Sequence, residues 1–142
     1  MDFEIRAAIS SDVREMQRIR GSVRENRLSD PRRISDASYV PFIAAGSAWV
    51  AETGGRILGF AAIDPSDGSV WALFVDPAAE GAGIGRALHG RMVEWARVQG
   101  LPRLTLLTEG GTRAAQFYRR AGWRETGRAE DGQSIFELDL PT

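Results

Sequence analysis

The stretch that decides the fold of this chain is residues 71–99, WALFVDPAAEGAGIGRALHGRMVEWARVQ. Its first five residues form an unbroken apolar run, typical of a strand buried on both faces, and Asp76-Pro77 ends the run because proline cannot donate to a ladder. Apolar residues then recur at helical spacing until Gly100 and Pro102 stop the helix. Between the strand and the helix lie three glycines: Gly81, Gly83 and Gly85.

This glycine loop has the properties of an anion site. Glycines let the backbone turn tightly and approach a ligand, and the first free N–H groups of the helix point outward with the positive end of its dipole. The pattern therefore predicts a bound phosphate. A P-loop would need Lys-Ser/Thr where this chain has Arg86-Ala87, and a dinucleotide fingerprint would need a third glycine where Leu88 stands. The alternative is a glycine-rich turn that binds nothing.

Two motifs resemble those of one known family. The run from Glu80 to Arg86, EGAGIGR, resembles the acyl-CoA-binding motif Q/R-x-x-G-x-G/A of the GNAT superfamily of N-acetyltransferases. Glu80 replaces the Gln or Arg of that motif, so we expect Glu80 to turn away from a pyrophosphate and Arg86 to matter more. The second motif, QFYRRAGW at residues 116–123, resembles the family's C-terminal signature of an aromatic-Tyr pair followed by Gly and an aromatic residue.

The order of elements agrees with the resemblance. Hydrophobic periodicity predicts β-α-α-β-β-β-α-β-α-β-β, and a strand at Leu104 and Leu106 follows a helical crossover, so it should lie parallel to the strand at residues 70–75. This is also the order of the GNAT fold, and the resemblance extends from one end of the chain to the other. The fold class it implies is α/β (α+β), with a mixed, mostly antiparallel sheet of six to seven strands and helices on both faces.

Length and composition limit the classes of protein. A chain of 142 residues, 43% hydrophobic and 26% charged, is expected to form one domain over residues 1–142. A net charge of -1 with scattered basic residues argues against nucleic-acid binding. Without a membrane-length apolar run or a basic signal sequence, we expect a cytoplasmic protein that does not bind membranes. With no cysteine and one histidine, His89, we expect no metal.

The resemblance implies acetyl-CoA as co-substrate and assigns roles to residues. Tyr118 would donate a proton to the leaving thiolate, with a purely structural core aromatic as the alternative. The position where some members carry a glutamate base lies near Leu106, which cannot serve. Glu109 is then the candidate base, with a solvated loop residue and proton loss through water as the alternative. The pantetheine arm would pair with the backbone of Leu73, Phe74 and Val75, and the pyrophosphate would bind Gly81, Ala82, Gly83, Ile84, Gly85 and Arg86.

The N-terminal helices form one wall of the acceptor cleft in relatives, which implies acceptor contacts from Arg24, Asn26, Arg27 and Tyr39. Arginines crowd residues 24–33, and this favours an acidic group on the acceptor, with an ordinary solvated loop as the alternative.

The predicted function is an acyl-CoA-dependent N-acyltransferase that moves an acetyl group from acetyl-CoA to a primary amine of a small molecule or peptide, by direct attack in a ternary complex. The alternatives are a non-catalytic acyl-CoA-binding or sensing module of the same fold, and an unrelated α/β enzyme with a phosphate ligand. A homodimer is left open.

Overall fold

The computed structural model describes residues 2–23 and 34–141 of the chain. Within them, seven strands and four helices follow one another in the predicted order. The elements are β1 (Glu4–Ala7), α1 (Val13–Ser22), α2 (Val40–Ala44), β2 (Ala48–Thr53), β3 (Arg56–Ile63), β4 (Val70–Val75), α3 (Ile84–Val98), β5 (Arg103–Thr108), α4 (Arg113–Arg120), β6 (Arg124–Arg128) and β7 (Ser134–Asp139).

The strands form two hydrogen-bonded groups. One contains β1, β2, β3 and β4 in that order, and the other contains β5, β7 and β6, with antiparallel pairing throughout each group. A single parallel bridge between Ser69 and Thr105 joins them, and the Thr105 N–H donates to the Gly68 carbonyl at 3.0 Å. The parallel relation of β4 and β5 is therefore confirmed. The described residues show no further ladder between these two strands, so the sheet splits at its centre.

The helices cover both faces of the sheet, as predicted. Met16 and Ile19 of α1 are fully buried against one face, together with side chains of β2, β3 and β4. Leu88 and Met92 of α3 are fully buried against the other face, where α4 also packs. Burial of each such side chain contributes about 1.5–3 kcal/mol. This apolar contact fixes the helices, and α3 with them the glycine loop, against the strands.

The short helix α2 begins where proline permits. Pro41 occupies its first turn, where a missing N–H costs nothing, and a 3-10 turn at Asp36–Tyr39 leads into it. Ser35 and Ser38 exchange hydrogen bonds at the start of that turn.

Candidate active site

The glycine loop is anchored where it leaves β4. Asp76 begins a 3-10 turn, and its carboxylate accepts the Ala78 N–H at 3.0 Å and pairs with Arg18 of α1 at 3.0 Å. Burial raises the pKa of Asp76, but the Ala78 N–H and Arg18 outweigh it and hold that pKa below its ordinary value. Asp76, which the sequence predicted only as the end of the strand, thus also forms an ion pair that links the loop to α1.

Two glycines of the loop adopt a left-handed backbone. Gly81 has φ 85° and Gly83, the N-cap of α3, has φ 82°. A Cβ built on either residue would meet no atom within 4 Å, so the space over the loop is open. Gly85 differs: a Cβ there would contact Val75 at 3.5 Å and Phe117 at 3.8 Å, because Gly85 packs α3 against β4 and α4.

The loop presents a set of free donors. The first backbone bond of α3 runs from the Ala87 N–H to the Gly83 carbonyl at 3.0 Å. The N–H groups of residues 81–86 have no acceptor among the described residues. Together with the positive end of the α3 dipole, these donors suit an anion that enters the open space over Gly81 and Gly83.

Beside the loop, β4 has an open edge. From Ala72 to Val75 the described residues show pairing with β3 alone, because β5 diverges after the Ser69–Thr105 bridge. A β-bulge lies at the start of this edge: Ala62 pairs with Ala72 and the next residue of β3 pairs with Val70, which leaves Trp71 without a partner on β3. An extended ligand can hydrogen-bond to this edge as an added strand would.

Glu80 pairs with an arginine from another element. Its two carboxylate oxygens lie 3.0 and 3.1 Å from the Nη2 and Nη1 atoms of Arg113, at the start of α4. The negative charge expected to disturb a pyrophosphate is therefore balanced by a positive one. The pair is exposed and contributes only about 0–1 kcal/mol to stability, so its main consequence is to join the loop to α4. Arg86 is exposed on the first turn of α3.

Tyr118 of α4 is 7% exposed and lies among aromatic rings. The Phe117 and Trp123 ring centroids are each 5.4 Å from its own, and that of Phe136 is 6.4 Å away. Burial raises the pKa of Tyr118 above its ordinary value, so its hydroxyl keeps its proton at neutral pH. That hydroxyl has no hydrogen bond to the described part of the chain.

His89 supports this aromatic group from α3. Its Nε2 accepts the Trp123 indole N–H at 2.9 Å, and its ring lies edge-on to Phe117 with centroids 5.7 Å apart. Burial lowers the pKa of His89, in keeping with a neutral ring that accepts a hydrogen bond. The sequence contained no signal for this contact, because its partners lie 34 positions apart.

The remaining predicted site residues do not form one group in the structure. Glu109 is exposed after β5, and its backbone carbonyl accepts the Thr112 hydroxyl at 2.8 Å. Tyr39 is only 1% exposed; its hydroxyl donates to Gln17 at 2.7 Å and accepts from Arg20 at 3.2 Å, and burial raises its pKa. Tyr39 is thus buried, although we expected it to contact the acceptor. The predicted acceptor contacts from Arg24, Asn26 and Arg27 lie outside the described residues.

Two features are absent from residues 2–23 and 34–141. In these ranges no three His, Asp or Glu side chains are grouped so that they could hold a metal ion. No helix there has the length and apolar composition needed to cross a bilayer.

The arrangement defines a class of protein: an α/β fold in which a strand edge opened at mid-sheet lies beside a glycine loop and the start of a helix. Comparison with known families identifies the family. Residues 44–125 match the family described as the acetyltransferase (GNAT) domain, and the chain belongs to that family.

Individual relatives agree with this assignment. The chain is 37% identical over 93 residues to mycothiol acetyltransferase of Sanguibacter keddieii, in an alignment that covers 58% of this chain and 30% of that protein. The chain thus spans less than a third of this relative's length. Ard1 of Thermoplasma volcanium has the same fold, with a TM-score of 0.83 at 18% identity over 100% of both chains. The yncA protein of Salmonella typhimurium, solved with its cofactor acetyl-CoA, gives 0.75 at 22% identity over 100% of this chain and 96% of its own.

Proposed function

We propose that this chain is an N-acetyltransferase that transfers the acetyl group of acetyl-CoA to a primary amine of a small molecule or peptide. The observation that carries the proposal is the open edge of β4 beside the free N–H groups of residues 81–86. An acyl-CoA has both matching parts, an extended amide-bearing arm and a pyrophosphate. The structural relative described with acetyl-CoA supports the same ligand.

The proposed binding mode assigns each part of acetyl-CoA to an element. The pyrophosphate accepts N–H groups of the loop over Gly81 and Gly83, where a Cβ would meet no protein atom. The pantetheine amides pair with the backbone of β4 at residues 73–75. Gly85 contributes indirectly, by allowing α3 to pack closely on Val75. The Glu80–Arg113 pair removes the charge conflict at the first position of the motif.

The reaction proposed for this site is direct attack. The amine nitrogen attacks the thioester carbonyl carbon, the tetrahedral intermediate collapses, the carbon–sulfur bond breaks, and the sulfur leaves with the bonding pair. The new N–C bond leaves an extra proton on nitrogen, and the departing thiolate takes one up. The two substrates therefore share one site, without an acyl group on the protein.

Tyr118 is the proposed proton donor to sulfur. Its raised pKa keeps the hydroxyl protonated, and no described residue competes for that proton. The same raised pKa makes Tyr118 a weak acid, so a hydrogen bond to the forming thiolate is its main contribution before the proton moves. Glu109 is the candidate base only if the acceptor extends to it. Otherwise the amine loses its proton to water.

Thiol release measured with a panel of primary amines tests the proposal against the non-catalytic alternative. An enzyme releases free CoA in proportion to an N-acetylated product. A binding or sensing module binds acetyl-CoA by calorimetry and releases no thiol with any amine. The cytoplasmic location remains a prediction from the sequence, and a homodimer remains open.

A further inference from the structure

One glycine of β3 lies beneath both parts of the proposed acyl-CoA site. Gly59 is buried in the interior of β3 and does not have a positive φ, so its backbone conformation does not require glycine. Glycine weakens a strand and is commonly found where another backbone approaches closely. A Cβ built on Gly59 would lie 2.8 Å from the Phe74 carbonyl oxygen and 3.1 Å from side-chain atoms of both Ile84 and Leu88. Ordinary contacts are about 3.5–4.0 Å, so these neighbours leave no room for a side chain.

The first of these neighbours is the backbone of β4. The Asp76 N–H donates to the Leu58 carbonyl at 2.8 Å. Hydrogen-bonded pairs alternate along an antiparallel ladder, so Phe74, the partner of Phe60, also directs its N–H and carbonyl to β3. The residues on either side of Phe74 then direct theirs to the open edge. A shift of the Phe74 carbonyl would therefore move the segment to which we assign the pantetheine arm.

The other two neighbours belong to the start of α3. Ile84 is the first residue of that helix and Leu88 lies one turn further on, and both side chains are fully buried against the sheet. Ile84 directly follows Gly83, and its N–H is one of the loop donors without an acceptor among the described residues. A methyl group at Gly59 would push both side chains away from β3, and the beginning of α3 with them. Gly59 therefore sets how far the loop stands from the sheet.

An acyl-CoA molecule would have to span both elements. In the proposed binding mode, its pyrophosphate accepts N–H groups of the loop while its pantetheine arm pairs with β4. Hydrogen bonds hold only over a narrow range, about 2.7–3.2 Å between N and O. To reach an ordinary contact, a Cβ at position 59 and the Phe74 carbonyl must separate by roughly half an ångström more. A displacement of that size changes the spacing between two sets of hydrogen bonds that one ligand makes together.

We propose that Gly59 is a positioning residue for acyl-CoA: because it has no side chain, it holds the glycine loop and the open edge of β4 at the spacing at which one ligand binds both. The identity of the ligand rests on the proposed function, whereas the close packing at Gly59 does not. A residue that sets this spacing should matter for the complete ligand and not for its separate parts. That difference distinguishes it from a residue needed only for stability.

The first test compares Gly59→Ala with a control at the far end of α3. Ala96 is fully buried in the same core, about 18 Å along the helix from Ile84, and Ala96→Val overpacks that region without reaching the loop. Both variants should lose roughly 3–10 °C in Tm. Calorimetry with acetyl-CoA should show an affinity roughly 10- to 100-fold lower for Gly59→Ala, the range for a hydrogen bond to a charged group, and the parent affinity for Ala96→Val.

The second test divides the ligand. Acetyl-pantetheine carries the arm alone, and ADP carries a diphosphate without the arm. Each is titrated into the parent and into Gly59→Ala and followed by ligand-observed NMR. Both fragments should bind the two proteins with equal affinity, because each element is intact and only their spacing differs. If a fragment loses as much affinity as acetyl-CoA does, Gly59 shapes one element locally and the proposal is overturned.

A second variant covers the case in which Gly59→Ala does not fold. Gly59→Ala/Leu88→Val conserves the packed volume, because one methyl group is added and one methylene is removed together with the Cδ1 contact. The contact with the Phe74 carbonyl remains, so we expect an acetyl-CoA affinity roughly 10-fold below that of the parent, with fragment affinities equal to those of the parent. An acetyl-CoA affinity equal to that of the parent would overturn the proposal in this variant too.

The binding measurements also separate this inference from the proposed function. If the parent binds acetyl-CoA and Gly59→Ala binds it equally tightly, the inference is refuted while the proposed function stands. If the expected differences between variants are found but no amine is acetylated, the positioning role holds in a binding module. A parent that does not bind acetyl-CoA refutes both.

Discussion

Replacement of Gly83 by valine tests the assignment of the glycine loop. Gly83 has φ 82°, and a Cβ there would meet no atom within 4 Å. Valine therefore causes no clash within the protein, but it adds left-handed strain of about 1–2 kcal/mol. Its side chain would also occupy the open space over the free N–H groups of residues 81–86. The substitution thus has two expected effects, one on folding and one on ligand binding, and they require a control that separates them.

Gly100 provides that control at the other end of α3. It has φ 81° and equally open space around a Cβ, so Gly100→Val carries similar strain without lying near the loop. Both variants should lose roughly 3–8 °C in Tm. By calorimetry, only Gly83→Val should bind acetyl-CoA more weakly, by roughly 10- to 100-fold, as expected when a charge-assisted hydrogen bond is lost.

Two results would refute the reasoning. If Gly83→Val binds acetyl-CoA as tightly as the parent, the open space over the loop does not hold the phosphates. If Gly100→Val loses as much affinity as Gly83→Val, the loss follows from general destabilisation. Both titrations need the same ionic strength, because salt screens the contact between a phosphate and the start of the helix.

Three further predictions concern catalysis and stability. Tyr118→Phe should lower kcat by about 10²- to 10⁴-fold with unchanged acetyl-CoA affinity, and equal turnover when chemistry is rate-limiting would leave Tyr118 as a core aromatic. The rising limb of the rate against pH should follow the pKa of the acceptor amine in both the parent and Glu109→Gln. A rising limb that stays at the same pH for all amines in the parent, and disappears in Glu109→Gln, would identify Glu109 as a protein base. His89 has a lowered pKa when folded, so the unfolded chain takes up the proton first as pH falls. The free energy of unfolding in urea should therefore decrease from about pH 7.5 to about pH 5.5 in the parent and less in His89→Gln, and parallel profiles would contradict this account.

Local chemistry explains what the sequence predicted correctly. The apolar run before Asp76-Pro77 is β4 at Val70–Val75, and the periodic segment after the glycines is α3 at Ile84–Val98. Threonine is a favoured N-cap residue, and Thr112 caps α4: its hydroxyl accepts the Ala115 N–H at 3.1 Å. Each of these features depends on residues a few positions apart, and periodicity and turn residues report such features directly.

Contacts between distant residues could not be predicted in the same way. The Glu80–Arg113 pair joins residues 33 positions apart, and the guanidinium of Arg20 in α1 lies 4.4 Å from the ring centroid of Trp71 in β4. Hydrophobic patterning shows that a side chain faces the core but not which side chain it meets there. Tyr39 illustrates the same limit: a tyrosine can be exposed or buried, and hydrogen bonding of its hydroxyl within the fold made burial favourable here.

The open edge of β4 also has a consequence for solubility. An unpaired strand edge is a template for any extended chain, including that of another molecule, and natural proteins protect such edges. Here the edge lies in a cleft at the centre of the sheet, facing β5 instead of solvent at the periphery, and Pro77 ends it after only five residues. In the proposed binding mode a slender arm lies along this edge, whereas a second folded molecule would collide with β5. The position of β5 therefore limits edge-to-edge association between proteins at this strand.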